Sequence, residues 1–182
     1  MCTGDQVLLT KAVAVEGTSI IAREFGRQLQ AAGISATEID RCRRFLDDIS
    51  ILEEARIARE FKGVSAMHDV TEGGLATALE EFGIAGGHGI CVQVDQIPIF
   101  DQTQTLCDLL GIDPLGLIGS GSLLIACRQA QCASLIDRIR RAGIAITPIG
   151  RVEAPGGGIV AQANGKAVTW PRFEVDEITR LY

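Results

Sequence analysis

The stretch MHDVTEGGLATALEEFG, residues 67–83, begins as a buried strand and ends as an amphipathic helix. Its apolar residues after position 74 recur at helical spacing, which predicts a helix over about 73–85. Two adjacent glycines, Gly73 and Gly74, stand where that helix should start. Because glycine costs a helix about 1 kcal/mol relative to alanine, the pair predicts a structural or functional requirement at this turn.

The same succession of strand, turn and helix precedes this stretch. An apolar run is followed by Glu16-Gly17-Thr18 and by a segment with helical periodicity, and a long segment without glycine or proline then leads to the opening strand. The elements predicted in this half are a strand over 6–15, a helix over 19–33, a helix over 37–61, a strand over 64–70 and the helix over 73–85.

The second half of the chain alternates between strand and helix patterns in the order β-α-β-α-β from Gly89 to Arg151. Two short strands, GIVAQA and KAVTW, and a short C-terminal helix, VDEITRLY, follow. Gly156-Gly157-Gly158 and Asn164-Gly165 are predicted to be hairpin turns. Together the elements predict an α/β (α+β) fold, in which a mixed β-sheet is flanked by helices and the second half is βαβαβ, in a single domain over 1–182.

Composition and charge exclude several classes of protein. The 182 residues carry a formal net charge of −6 and no long basic run, which argues against nucleic-acid binding. No segment approaches the roughly 18 apolar residues of a membrane span, so we expect no membrane association and a cytoplasmic protein. The six cysteines form no CxxC pair and the two histidines no metal-binding spacing, which predicts reduced, mostly buried thiols and no metal site.

The turn before the opening helix has the chemistry of an anion site. Asp69 or Thr71 could cap the helix, Asp69 with Glu72 in capping-box spacing. The amides of Gly73 and Gly74 would then be free, and a helix N-terminus without side chains in the way favours a phosphate group. The alternative is that the glycines only let the helix and the strand pack closely. Spacing by itself leaves both interpretations open.

Two further turns have related features. Glu16-Gly17-Thr18 offers a carboxylate at the end of a strand and Thr18 as a helix cap, while Ser120-Gly121-Ser122 offers a concave row of amides and hydroxyls. Each could also be an ordinary turn. The polar candidates for acid–base chemistry nearby are His68 and Asp69, although a single histidine could equally satisfy a buried hydrogen bond. Lys11 could meet a phosphate group or be solvated.

Three stretches together resemble a known family. GDQVLLTKAVAVEGTSIIARE, GVSAMHDVTEGGLATALEE and LGIDPLGLIGSGSLLIA are similar, in order and spacing, to the C-terminal domain of the aminoimidazole ribonucleotide (AIR) synthetase-related superfamily. That superfamily includes AIR synthetase, selenophosphate synthetase, thiamine-monophosphate kinase and the hydrogenase maturation protein HypE. The succession of MHDVTEGGLATAL and GSGSLLIA looks most like HypE and its AIR-synthase-related relatives.

The resemblance implies part of an ATP-dependent synthetase or phosphoryl-transfer enzyme. Full-length members have an N-terminal half that binds ATP and Mg²⁺ through acidic motifs and forms much of a dimer, and a C-terminal half that completes the cleft. This sequence resembles the second half alone, since no such acidic motif precedes Gly4. We therefore expect the N-terminal ATP-binding domain to be absent, ATP and Mg²⁺ to bind mainly there, and this chain to be catalytically incomplete alone.

The resemblance also implies which residues face the cleft and position phosphate or substrate. They are Glu16, Gly17, Thr18, Asp69, Thr71, Gly73, Gly74, Ser120, Gly121 and Ser122. Asp69 and His68 are the candidates for a catalytic role, which the resemblance leaves unassigned. HypE ends in a cysteine that accepts a carbamoyl group, whereas this sequence ends in Leu181 and Tyr182, so carbamoyl dehydration is not implied here.

Three partners follow from the resemblance. They are a phosphate-bearing small molecule, an N-terminal ATP-binding domain or partner chain, and a second copy of the chain in a homo-oligomer, formed through the apolar surface that the absent domain would cover. The alternative function is a free-standing, non-catalytic binding or interaction module derived from the same domain.

Overall fold

Seven strands form one mixed sheet in the computed structural model, which describes residues 1–182. The strands are β1 Gln6–Thr10, β2 Val64–Asp69, β3 His88–Gln93, β4 Leu123–Cys127, β5 Ile146–Pro155, β6 Ile159–Ala163 and β7 Lys166–Val168. Their spatial order is β2-β4-β1-β5-β3-β6-β7. Only β3 and β6 pair in parallel.

Seven α-helices and four short 3-10 helices flank the sheet. The α-helices are α1 Val15–Glu24, α2 Gly26–Ala31, α3 Ala36–Arg43, α4 Leu52–Arg59, α5 Gly74–Gly86, α6 Asp101–Leu110 and α7 Gln129–Arg141. The 3-10 helices are Arg44–Asp48, Val94–Gln96, Pro114–Gly116 and Glu177–Leu181. The predicted fold class is confirmed, including the β-α-β-α-β order from β3 to β5.

The sheet separates two apolar cores. The larger core, of 29 buried residues, lies between the sheet and helices α1, α5 and α6, and the smaller core, of 10, lies under α4 and α7. The central strand β1 contributes to both, because Val7 and Leu9 point into the larger core and Leu8 into the smaller one. Burial on both faces explains why β1 is a continuous apolar run instead of an alternating one.

The single helix predicted over 37–61 is wrong, since the segment forms α3, a 3-10 turn and α4. The break arises because the Lys11 ammonium group takes the carbonyl oxygens of Asp48 and Ser50, at 3.0 and 2.7 Å. Those carbonyls therefore do not continue an α-helical ladder.

The helix predicted over 19–33 is also interrupted. It begins earlier, as α1 at Val15, and is broken between α1 and α2 at Phe25. The Arg43 guanidinium group lies against this break, where its Nε donates to the Ala22 carbonyl at 3.1 Å. A Cβ atom at Gly26 would lie 2.9 Å from an Arg43 nitrogen, so a side chain there would push the guanidinium group away.

The two predicted hairpin turns have different outcomes. Asn164-Gly165 joins the antiparallel strands β6 and β7, with φ of 51° and 74°, as its sequence predicts. The prediction for Gly156–Gly158 is wrong, because β5 and β6 lie on opposite sides of β3. The connection crosses the end of β3, where a Cβ atom on Gly89 would lie 3.0 Å from the Gly157 Cα.

The cysteines are free thiols, as predicted. All except Cys2 are buried, and burial raises the pKa of Cys107 to about 12 and that of Cys127 to about 11. Both thiols therefore stay protonated at neutral pH. None of the helices combines the length and apolar character needed to cross a bilayer.

Candidate functional site

Three glycine-containing turns meet at one end of the sheet. Strands β1 and β2 end there and β4 begins there, because β4 is antiparallel to both. The Gly17 amide donates to the Ile118 carbonyl at 3.0 Å, and the Gly119 amide donates to the Thr71 carbonyl at 3.1 Å. The turns over residues 16–18, 71–74 and 117–122, here called the glycine cluster, are thus joined by backbone hydrogen bonds.

Close contacts with neighbouring atoms explain the glycines at two of these positions. A Cβ atom on Gly74 would lie 2.5 Å from the Leu115 carbonyl oxygen and 2.7 Å from that of Leu117. A Cβ atom on Gly17 would lie 2.5 Å from the Leu117 side chain. The packing interpretation of Gly74 therefore has a physical basis whether or not a ligand binds nearby.

Helix α5 begins without a side-chain cap, so the predicted caps Asp69 and Thr71 and the capping box with Glu72 are wrong. The N-cap residue is Gly73, in the left-handed region with a φ of 75°. The Thr71 carbonyl accepts the Gly74 amide at 3.1 Å, and this tight turn places Thr71 and Asp69 too early to cap the helix. Asp69 is instead exposed at the end of β2.

An anion is nevertheless held at the start of α5, and it belongs to the chain itself. The Gly73 amide donates to Asp176 Oδ2 at 2.7 Å, and the Ile118 amide donates to Asp176 Oδ1 at 3.2 Å. The same oxygen accepts the Ile178 amide at 2.9 Å, which makes Asp176 the cap of the C-terminal 3-10 helix. A carboxylate in this position is stabilised by the helix dipole of α5.

The amides of Gly73 and Gly74 are therefore not free, contrary to the expectation from sequence. Sequence reasoning missed Asp176, which lies 103 residues from Gly73 along the chain. An available signal was its place before the short helix EITRL, where an aspartate is a favoured cap.

The first glycine turn lies inside helix α1 instead of before it. The N-cap residue is Ala14, which has a left-handed φ of 55°, so Glu16, Gly17 and Thr18 occupy the first turn. The prediction that Thr18 caps the helix is wrong. Its buried hydroxyl group donates to the Ala14 carbonyl at 2.7 Å and lies 2.7 Å from the Thr103 hydroxyl group.

Glu16 is the least satisfied polar residue of the glycine cluster. One carboxylate oxygen, Oε2, is buried and has no hydrogen-bond partner within the chain. A buried acceptor without a partner costs about 1–3 kcal/mol. Such a cost is expected where a ligand or another domain supplies the donor.

The two serines of the Ser120-Gly121-Ser122 turn differ in how exposed they are. Ser122 is fully buried, where its hydroxyl group donates to the Ala12 carbonyl and its carbonyl accepts the Val70 amide. Ser120 is half-buried, and Gly121 is buried against Val15. Of the two hydroxyl groups, that of Ser120 is the accessible one.

His68 and Asp69 lie at the end of β2 beside the glycine cluster. The His68 ring contacts the Asp69 carbonyl through Nδ1 and lies 3.7 Å from a Glu81 carboxylate oxygen through Nε2. The Asp69 side chain is 61% exposed. The polar contacts of His68 are thus with Asp69 and Glu81, and the structure does not join it to the glycine turns.

Lys11 is neither solvated nor available to a phosphate group. Its ammonium group lies 3.0 Å from Oε1 of Glu54, which is 1% exposed, and also binds the Asp48 and Ser50 carbonyls. Glu54 accepts the Thr10 hydroxyl group as well, at 3.2 Å. These five residues are called the Lys11 clamp.

Comparison with known proteins assigns this chain to a family. The family profile described as AIR synthase related protein, C-terminal domain, matches residues 3–162. The chain belongs to the AIR synthase related family. It is HypE-like within that family, as the resemblance implied.

Individual relatives agree with this assignment of an AIR synthase related domain. The chain is 30% identical over 137 residues to the carbamoyl dehydratase HypE of Cupriavidus necator. This match covers 75% of the chain and 36% of that protein. The crystal structure of Escherichia coli HypE has the same fold, with a TM-score of 0.80 at 22% identity, over 100% of this chain and 54% of that one. A HypE structure in complex with ATP also matches, with a TM-score of 0.69 at 20% identity, over 97% and 53% of the two chains.

The AIR synthase related domain accordingly spans about half the length of the solved relatives and 36% of the C. necator sequence. Its own residues provide no group of three or more histidine, cysteine, aspartate or glutamate side chains placed to hold a metal ion.

Proposed function

We propose that this AIR synthase related domain forms one wall of a phosphate- or nucleotide-binding cleft in a HypE-like, ATP-dependent enzyme. An N-terminal ATP-binding half outside this chain completes the cleft, and the domain alone is not catalytically complete. The observation that carries the proposal is the meeting of the three glycine turns at one end of the sheet.

The chemistry of the glycine cluster fits a nucleotide-like ligand. The Ser120 hydroxyl group is a donor that can reach the surface, and the Gly73 amide, which now binds Asp176, is of the kind that suits a phosphate oxygen. The unpartnered Glu16 oxygen suits a donor such as a sugar hydroxyl group. A ligand that gained access to this buried oxygen would satisfy an isolated acceptor and use the Ser120 donor as well.

The other half supplies what this domain lacks. Mg²⁺ needs several oxygen ligands, and the absence of a carboxylate cluster here supports its assignment to the N-terminal half. The HypE structure solved with ATP has the same fold, which supports a nucleotide as the ligand class. We assign Asp69 and His68 to the rim of the cleft as candidates for proton transfer, and we expect the domain to act within a homo-oligomer.

Amide NMR of the isotopically labelled protein tests the proposal. Titration with ATP, with and without Mg²⁺, is expected to shift the amide signals of Gly17, Thr71 and Ser120. The signal of Gly165, in the β6–β7 turn, is the internal control. An absence of shifts at millimolar ATP, or shifts confined to regions outside the glycine cluster, would contradict a ligand site here.

A matched pair of serine variants sharpens this test. Ser120→Ala is expected to weaken ATP binding several-fold, because it removes one donor to the ligand, while leaving the melting temperature nearly unchanged. Ser134→Ala, on the exposed side of α7, is expected to change neither quantity. If the two variants bind ATP equally tightly, Ser120 does not contact the ligand.

A further inference from the structure

The C-terminal residues 170–182, here called the C-terminal strap, contact the N-terminal half of α5. Trp170 is 8% exposed, and its indole nitrogen donates to the Ala76 carbonyl at 3.4 Å. Arg172 then pairs with Glu80 at 2.9 Å. The first part of the strap is therefore anchored beside α5 at Ala76 and Glu80.

The strap next reaches the glycine cluster. The Phe173 ring covers Gly116, where an added Cβ atom would lie 2.6 Å from the ring. Glu177 is buried and accepts the Asp113 amide at 2.8 Å. Asp176 lies between these two contacts, on the amides of Gly73 and Ile118.

The position of Asp176 is informative because two of its three amide donors come from two different turns of the glycine cluster. Gly73 precedes α5 and Ile118 precedes the Ser120 turn, yet both amides converge on one carboxylate. The structure thus contains an anion bound at the place where two of these turns meet. A phosphate group that used either amide would have to take the position of this carboxylate.

We propose that the C-terminal strap is self-inhibitory: Asp176 occupies the anion position of the cleft, and a phosphate-bearing ligand binds tightly there only after displacing it. This inference rests on the proposed function, because it concerns access to the same site. The competitor is intramolecular, so it is present at high effective concentration whatever the protein concentration.

Release of Asp176 requires the end of the strap to open. Val175 is 59% exposed, but Ile178 and Leu181 pack against the larger core and the Tyr182 ring lies against Phe25, so terminal opening must break these contacts. Terminal segments open at a fraction of the global unfolding free energy. Trp170 and Phe173 can keep the preceding part in place while the carboxylate leaves. If the site is open only about 1% of the time, the apparent affinity is reduced about 100-fold.

Binding of inorganic phosphate and pyrophosphate to the full chain tests the proposal, with the amide signals of Gly73 and Ile118 as the readout. Asp176→Ala frees both amides and is expected to bind these anions at least ten-fold more tightly than the unmodified chain. Asp176→Asn keeps an acceptor without the charge and is expected to give an intermediate gain. Glu174→Ala removes an exposed charge from the same strap and is expected to give none.

The outcomes separate this inference from the proposed function. If all the proteins bind pyrophosphate equally and the shifts lie at Gly17 and Ser120, the cleft stands and the self-inhibitory strap is wrong. If Asp176→Ala and Asp176→Asn bind neither anion anywhere in the glycine cluster, both proposals are wrong. Should Asp176→Ala fail to fold, Asp176→Asn alone tests the self-inhibitory strap. Tighter anion binding than that of the unmodified chain would support the strap, and equal binding would contradict it.

Discussion

The Lys11 clamp and the Asp176 contact use opposite charges to satisfy backbone groups where regular structure breaks. Lys11 donates to the carbonyls of Asp48 and Ser50, between the Arg44–Asp48 turn and α4. Asp176 accepts amides at the start of α5. In each case a charged side chain from a distant part of the sequence replaces a local cap.

The two contacts differ in how firmly their surroundings hold them. The Lys11 side chain is 16% exposed and its partner Glu54 is 1% exposed, and both belong to the body of the domain. Asp176 lies on a terminal strap, between the exposed Val175 and the buried Glu177. If the proposed strap is correct, the same kind of contact is a fixed part of the fold at Lys11 and an exchangeable one at Asp176.

Removing Lys11 is expected to have the largest effect. Lys11→Ala leaves Glu54 buried without its cation, which should lower the free energy of unfolding by about 3–5 kcal/mol. Chemical denaturation monitored by circular dichroism measures this change. Lys62→Ala, at an exposed lysine, is the control and should change stability by less than about 0.5 kcal/mol.

A double variant separates the charge from the packing of the clamp. Lys11→Met with Glu54→Leu removes both charges at once and should recover most of the stability lost by Lys11→Ala. If the single and double variants are equally unstable, the ion pair is not what fixes this region.

The next largest effect is expected at the start of α5. Gly74→Ala places a methyl group 2.5 Å from the Leu115 carbonyl oxygen at a φ of 61° and should cost about 2–3 kcal/mol. Gly165→Ala is the matched control, because its φ of 74° carries the backbone strain while its Cβ atom meets no neighbour. Equal losses in the two melting temperatures would mean that close packing does not explain Gly74.

A smaller loss is expected from the strap. Asp176→Ala removes the acceptor of three amides but leaves room for water, so the free energy of unfolding should fall by about 1–2 kcal/mol. Asp176→Asn should lose less. A loss as large as that of Lys11→Ala would show that the strap is as fixed as the clamp, and the comparison between the two regions would fail.

Asp5 is another charged side chain that bonds to distant residues. Its substitution is expected to have the smallest effect on stability. Burial raises the pKa of this carboxyl group, but hydrogen bonds from Ser65, the Cys2 amide and Arg128 together bring it below its usual value. A lowered pKa in the folded state contributes stability above the unfolded pKa of about 3.9, and that contribution is lost as pH falls through the folded pKa.

Thermal unfolding between pH 2.5 and 6 tests this dependence. The unmodified chain is expected to lose stability below about pH 4 more steeply than Asp5→Asn, which cannot titrate there. Asp47→Asn, at an exposed carboxylate, should follow the unmodified chain. If the melting temperatures of all three proteins depend on pH in the same way, Asp5 does not contribute to the pH dependence of stability.

Local patterns predicted the order of strands and helices because periodicity and turn chemistry are properties of short segments. The Asn164-Gly165 hairpin and the alternation from β3 to β5 are examples. The resemblance also identified the three turns that meet in the glycine cluster. Their use by a ligand remains a prediction.

The errors arose where distant residues decide local structure. The break in the 37–61 segment depends on Lys11, which is 37 residues before Asp48. The anion at the start of α5 comes from Asp176, 103 residues after Gly73. A reading of short segments contains neither contact, so it predicted a continuous helix and free amides.

The central position of β1 has a consequence for synthesis. Its neighbours β4 and β5 begin at Leu123 and Ile146, so no strand that pairs with β1 exists when β1 leaves the ribosome. At about 5–20 residues per second, the wait for β4 is on the order of ten seconds. A strand that is buried on both faces in the native domain is therefore the one that stays longest without a partner, and it is where we expect a chaperone to bind the nascent chain.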